Sequence, residues 1–366
     1  MRIARVETIA LRIPFGHGGA PAGWGGRAWS ALDTLLVRVD TEDGLTGWGE
    51  AFAYSCLGSV KAAVDGMVAP IAVGRDAGDI AGLMRELQQA LHLFGRYGIT
   101  MFALSGLDIA LWDLAGKAAG LPLCRLLGGA AGRQIPTYAS LFRYGDPERV
   151  AERTRRAIAE GYRHVKLHET GECQVRAARE TAGEGFPLML DTNCPWTAEE
   201  ARRMAARLAP YDLRWLEEPI FPPDDAVALA RLRRETGVPL ASGENACTAV
   251  QFRDLLAAGA VDYVQPSVTK VGGVTEFVQA AALAAAANVP VMPHSPYFGP
   301  GFLATLHLLA AQPRPGLAER FHLDLEASLY GDAVDPVGGV CRVPDGPGLG
   351  REPDPDVIRD YRVAAA

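Results

Sequence analysis

Seven polar residues recur through the second half of this chain at nearly constant spacing. They are Lys166, Asp191, Glu217, Glu244, Ser267, His294 and Glu319, with gaps of 25, 26, 27, 23, 27 and 25 residues. Each closes or follows a short apolar run: HVKLH, LMLDTN, RWLEEP, PLASGEN, YVQPSV, PVMPHS and LAERFH. Asp191, Glu217 and Glu244 end three consecutive runs, so their carboxylates converge if those runs are neighbouring parallel strands. Three carboxylates in contact cannot all stay ionised without a cation. Oxygen-only donors select a hard ion, and a site that keeps positions open for water and substrate favours Mg²⁺ over Ca²⁺. Taken singly, each is an ordinary surface acid; the shared phase argues for a metal site. Glu218, beside Glu217, points the opposite way if the strand continues, so it is a supporting residue and not a ligand.

The other residues in phase suggest acid–base chemistry. Lys166 and His168 are two apart on one strand and share a face. Next to a dication the Lys166 pKa is expected to fall, making it a candidate base. The same field keeps His168 neutral and able to accept a proton, so either can be the base. His294 lies across the barrel, on the seventh strand, where it can reach the opposite face of a planar enolate. Glu319 is expected either to carry a proton and bond a substrate carboxylate oxygen, or to pair with neighbouring Arg320. A cation beside a substrate carboxylate stabilises the charge that appears when the adjacent carbon loses its proton. The chemistry these parts allow is α-proton abstraction from a small carboxylate.

The elements that must carry these residues follow from periodicity. From Gln134 onward, eight strand-like pieces alternate with helices such as TAEEARRMAARLA, whose Thr197 and Glu200 form a capping-box signature. That order argues for a parallel (β/α) barrel; an open doubly wound sheet competes, but no G-x-G-x-x-G follows a strand. Residues 1–125 read differently, as strands followed by helices, an α+β unit, and 126–324 as the barrel. A glycine-rich stretch from Phe15 to Trp29 suggests a mobile loop. Arg143, just after the first barrel strand, either meets a distal carboxylate of a diacid or lies in solvent.

Composition bounds the partners. With 36 Lys and Arg against 43 Asp and Glu, the chain carries −7, which argues against nucleic acid or an anionic membrane as partner. The six cysteines are scattered with no C-x-x-C, as in a reducing compartment. The N-terminus lacks a signal-like apolar core, and Ala280–Ala287 is too short to span a bilayer. A cytoplasmic protein is expected.

The segment Ala103–Gly128, together with LDTN, WLEEP, SGEN and KVGGVTE, resembles the mandelate racemase and muconate-lactonizing group of the enolase superfamily across the chain. The resemblance implies a (β/α)₇β barrel of the TIM type. An α+β capping domain would be built from the N-terminal segment and a C-terminal tail of about residues 325–366. It implies Mg²⁺ on Asp191, Glu217 and Glu244, with Asn193 near the substrate. Loops around 15–30 and 50–58 would close the site, with Trp24 and Tyr54 as contacts. An even-numbered homo-oligomer is also implied. Two positions depart from the pattern. Strand two reads Lys166-Leu167-His168, so a histidine stands in place of the usual lysine base. Strand six carries Ser267 where racemase-like members have Asp and lactonizing members have Lys, so His294 lacks its usual carboxylate partner. This argues against a plain racemase and for dehydration of a sugar acid or similar hydroxy acid, with epimerisation or lactone cycloisomerisation as the alternative. A non-catalytic homologue that binds only metal and an anion is the remaining reading.

Overall fold

The computed structural model describes residues 1–19 and 27–364 together with 23–24, by backbone alone at 23–24 and 27–28. The expected Trp24 contact and the middle of the 15–30 loop therefore lie outside the described residues.

The N-terminal unit starts from an antiparallel sheet of Ile3–Gly16, Ala31–Thr41 and Thr46–Ala51. Helix Ile99–Ala119 lies directly on the last strand because two strand glycines leave no side chain between them. A Cβ at Gly49 would sit 1.9 Å from the Gly106 carbonyl oxygen, and one at Gly47 2.3 Å from that of Ala110. By length and composition this helix could cross a membrane, but 83% of its apolar window is buried in the core. It ends at Gly120, whose φ of +66° suits a residue without Cβ.

Parallel strands Gln134–Ser140, Val165–Leu167, Leu188–Asp191, Trp215–Glu217, Leu240–Ser242 and Tyr263–Val264 pair in sequence order, and Ala318–Phe321 pairs with the first. Helices alternate with them, among them Ala198–Leu208, which carries the Thr197–Glu200 capping box. The seventh strand is reduced to one bridge, Val264 to Val291. The reason is local: Pro290, Pro293 and Pro296 have no N–H to donate to a ladder.

Inside the barrel two layers follow from strand alternation. The lower layer is an apolar plug of Tyr138, Met189, Trp215, Ala241, Met292 and Leu317. Two residues further along the same strands stand Ser140, Asp191, Glu217, Gly243, His294 and Glu319. Burying each large side chain of the plug contributes about 1.5–3 kcal/mol, so the polar layer rests on a floor that resists rearrangement.

The C-terminal tail returns to both parts. Asp324–Leu325 pairs with Phe15–Gly16, Arg362 bridges Leu11, and Val340–Arg342 adds antiparallel to Gln134–Pro136. Cap and barrel are also joined by Tyr54, whose hydroxyl donates to the Pro296 carbonyl at 2.8 Å. The buried Glu50 of the cap accepts from Gly301 N–H at 2.8 Å, at the start of barrel helix Pro300–Ala311.

Candidate active site

The phase seen in the sequence becomes contact at the C-terminal rim. Asp191, Glu217 and Glu244 each place an oxygen within 4.8 Å of the other two. Glu217 and Glu218 diverge, because the strand ends at Glu217 and the backbone turns at Glu218. Glu217 accepts from Lys166 and from the Trp215 indole, both at 2.9 Å, inside the barrel. Glu218, at φ +42°, turns away to Asn245 at 3.0 Å.

The charge balance of this cluster is not closed by the chain itself. Burial and repulsion from Asp191 push the Glu217 carboxyl well above its ordinary range. Burial opposes ionisation at Asp191 too, but attraction to Lys166 and His168 outweighs it and holds Asp191 below its range. One charge is thus kept at the expense of the next. A dication among three oxygen donors would relieve this, and the donor set fits Mg²⁺.

Lys166 stands at the centre of these carboxylates. Its fully buried ammonium lies 2.9 Å from Glu217, 2.9 Å from Glu319 and 3.2 Å from Asp191. Burial alone would lower its pKa; with no cation among them, these carboxylates raise it well above 10.5 and hold it as an ammonium. The expected pairing of Glu319 with Arg320 is corrected. Glu319 pairs with Lys166 and accepts from Ser140 at 2.7 Å, while Arg320 goes to Asp335 at 2.8 Å. Burial would raise Glu319, but with no cation in the cluster Lys166 and His294 prevail and hold it at about 2.

His168 bonds through Nδ1 to the Leu141 carbonyl at 2.5 Å. A carbonyl only accepts, so Nδ1 carries a proton, and Nε2 is the nitrogen turned to the cluster, 3.3 Å from Asp191 Oδ2. His294 lies across the cluster, its Nε2 3.2 Å from Glu244. It therefore has a carboxylate neighbour, though not from strand six. Its Nδ1 meets the hydroxyls of Ser267 and Tyr297, each at 3.1 Å, and those two hydroxyls also bond each other. Burial lowers the His294 pKa, with Lys270 and Lys166 adding to this and Glu244 and Glu319 opposing, so the imidazole is neutral near pH 7.

Asn193, at φ +54°, donates from its amide to Asp191 at 3.0 Å and so sits on the cluster's edge. Tyr54 reaches the rim beside Trp29 and Phe321, with ring centroids 5.3 and 6.5 Å away, but its hydroxyl is engaged by Pro296. Two residues had no signal in the sequence reading. Tyr297 is three positions after His294, and no spacing rule ties it to Ser267. Gln265 is fully buried two residues beyond Tyr263, which packs on the apolar plug, and its amide has no partner among the described residues.

With fold and site in place, the comparisons are specific. The chain matches the N-terminal domain of the mandelate racemase / muconate lactonizing enzyme family over residues 27–128 and the enolase C-terminal domain-like family over 149–357. It belongs to this family of enolase-superfamily enzymes. It is 35% identical to 3,6-anhydro-alpha-L-galactonate cycloisomerase of Streptomyces coelicolor, over 95% of this chain and 96% of that one. It is 31% identical to arabinonate dehydratase of Saccharolobus solfataricus, over 92% of each. A racemase structure from Streptomyces coelicolor with bound magnesium superposes with a TM-score of 0.86 at 33% identity, covering 99% of this chain and 100% of that one.

Proposed function

We propose that this chain removes the α-proton of a sugar acid or similar hydroxy acid and then expels the oxygen on the β-carbon, with Mg²⁺ held by Asp191, Glu217 and Glu244. One observation carries the reading: the three carboxylates lie between His168 Nε2 and a second histidine, His294. Mg²⁺ bound there would offset the second negative charge that the substrate carboxylate acquires as the proton leaves.

His168 is the base: Nδ1 is committed to the Leu141 carbonyl, so Nε2 is the nitrogen that can exchange a proton with the substrate. Lys166, held as an ammonium, hydrogen-bonds a carboxylate oxygen and stabilises the same charge. His294 supplies a proton to the departing oxygen after the anionic substrate raises its proton affinity. If that oxygen is a free hydroxyl, water is lost and the reaction is a dehydration. If it belongs to the substrate's own ring, every atom is retained and the product is an isomer. The two activities named among the relatives therefore need the same three groups and differ only in the substrate. This supports dehydration, with cycloisomerisation as the second reading. Incubation with Mg²⁺ and a panel of sugar acids and lactones in deuterated water tests it. Keto-acid formation supports it; deuterium exchange into recovered acid without elimination points to epimerisation; neither, across the panel, leaves a metal- and anion-binding protein.

Two further readings belong here. The exposed Leu93 and Phe94 support a homo-oligomer, which size-exclusion chromatography with light scattering checks. The absence of a basic excess supports a small-molecule partner and a cytoplasmic setting, without nucleic acid or membrane.

A further inference from the structure

Arg143 stands just past the first barrel strand, and its guanidinium caps the ends of the next two. Nε donates to the His168 carbonyl at 2.9 Å, and one terminal nitrogen donates to the Thr192 carbonyl at 3.0 Å and the Asn193 side-chain oxygen at 3.2 Å. All three acceptors are neutral. Among the described residues no carboxylate pairs with Arg143, and its other terminal nitrogen makes no hydrogen bond. The acid whose charge it feels, Glu169, is already bonded to the N–H groups of Tyr144, at 2.7 Å, and Gly145, at 3.2 Å. The residue is exposed, so the free edge of the guanidinium is open to solvent and to an incoming anion.

Its position is fixed relative to the chemistry. His168 carries the proposed base, and Asn193, which Arg143 holds, donates to Asp191 at 3.0 Å. The cation is therefore one residue removed from both the base and a metal ligand, on the strand-one-to-three side of the rim. The strand-eight side of the same mouth is aromatic, where Phe142, Phe321, Trp29 and Tyr54 pack together and Phe321 lies 6.2 Å from His168. On the strand-one-to-three side of the rim Arg143 offers a guanidinium that no carboxylate pairs among the described residues. A guanidinium fixed along one edge with the other free suits a planar carboxylate.

We infer that Arg143 binds a second carboxylate at the far end of the substrate, so that the preferred substrates are sugar diacids or their lactones rather than monoacids. The inference deepens the proposed function and rests on it. The test compares matched six-carbon pairs that differ only at the terminal carbon, galactarate with galactonate and glucarate with gluconate, by kcat and KM in the Mg²⁺-loaded full chain. The wild type should favour diacids in kcat/KM. Arg143→Met should raise KM for diacids by roughly 10- to 100-fold, as expected for a lost charge-assisted hydrogen bond, and raise KM for monoacids by a clearly smaller factor, so that the diacid preference is lost. Arg143→Lys should recover part of the diacid preference, because the charge remains while the fork is lost. An equal fall in kcat for both classes would mean that Arg143 only orders Asn193 and Asp191, and would overturn the inference. So would turnover of monoacids in preference to diacids, and that result would leave the proposed function standing. If no member of either class binds or reacts, the functional reading fails, and this inference with it.

Discussion

The two sides of the site solve one problem in opposite ways. On the Lys166 side the partners are ionisable: one ammonium lies within 3.2 Å of Asp191, Glu217 and Glu319, all buried. On the His294 side Nδ1 is held by neutral hydroxyls, and burial governs its protonation. A carboxylate beside Nδ1 would accept a hydrogen bond only and favour the imidazolium. Hydroxyls both donate and accept, so Ser267 and Tyr297 can serve His294 whether or not Nδ1 carries a proton. The ionic side fixes a charge; the hydroxyl side lets a proton come and go. Such asymmetry suits a reaction with one base and one acid in distinct roles.

The comparison breaks most severely at the carboxylates. Asp191→Asn, Glu217→Gln and Glu244→Gln are each expected to abolish Mg²⁺-dependent turnover while circular dichroism keeps the folded signature; full turnover in any of them removes that residue from the metal site. Next in size is His294→Asn, expected to reduce kcat by about 10²–10⁴-fold with little change in substrate KM, as for loss of one general acid. Unchanged kcat would make the histidine structural.

Ser267→Asp converts the hydroxyl side to an ionic one. An opposite charge next to His294 should raise its pKa by roughly 1–2 units. A group needed in its protonated form then works to higher pH, so the alkaline limb of the pH–rate profile should move up, with NMR titration of His294 following it. An unmoved profile means that Ser267 does not govern this histidine. The smallest expected effect lies behind Tyr297, at Glu50. Burial raises that carboxyl to about 7, with the Gly301 N–H opposing. A pKa raised on folding favours the folded state fully below the unfolded value near 4.5, and that contribution is lost as pH rises through about 7. Glu50→Gln should therefore stabilise the protein at pH 8 by about 1–3 kcal/mol and flatten the dependence of Tm on pH. An unchanged slope between pH 5 and 8 would mean that Glu50 is not the group responsible.

Much of this molecule could be read from the chain alone. The period of one strand and one helix is a covalent spacing, so it placed Lys166, Asp191, Glu217, Glu244, His294 and Glu319 at one rim before any coordinates. Tertiary structure decided what these groups are to one another. The sequence contains Lys166 and Glu319 but not the 2.9 Å between them, which makes Lys166 and not Arg320 the partner of that carboxylate. The hydroxyl of Tyr297, the neutral clamp on Arg143 and the loss of the seventh ladder at its prolines all depend on which side chains meet across the barrel. Electrostatic energy falls with distance and rises with burial, and a linear sequence records neither between residues far apart along it. Residue types and spacing therefore set the available chemistry, and packing assigned each group its partners.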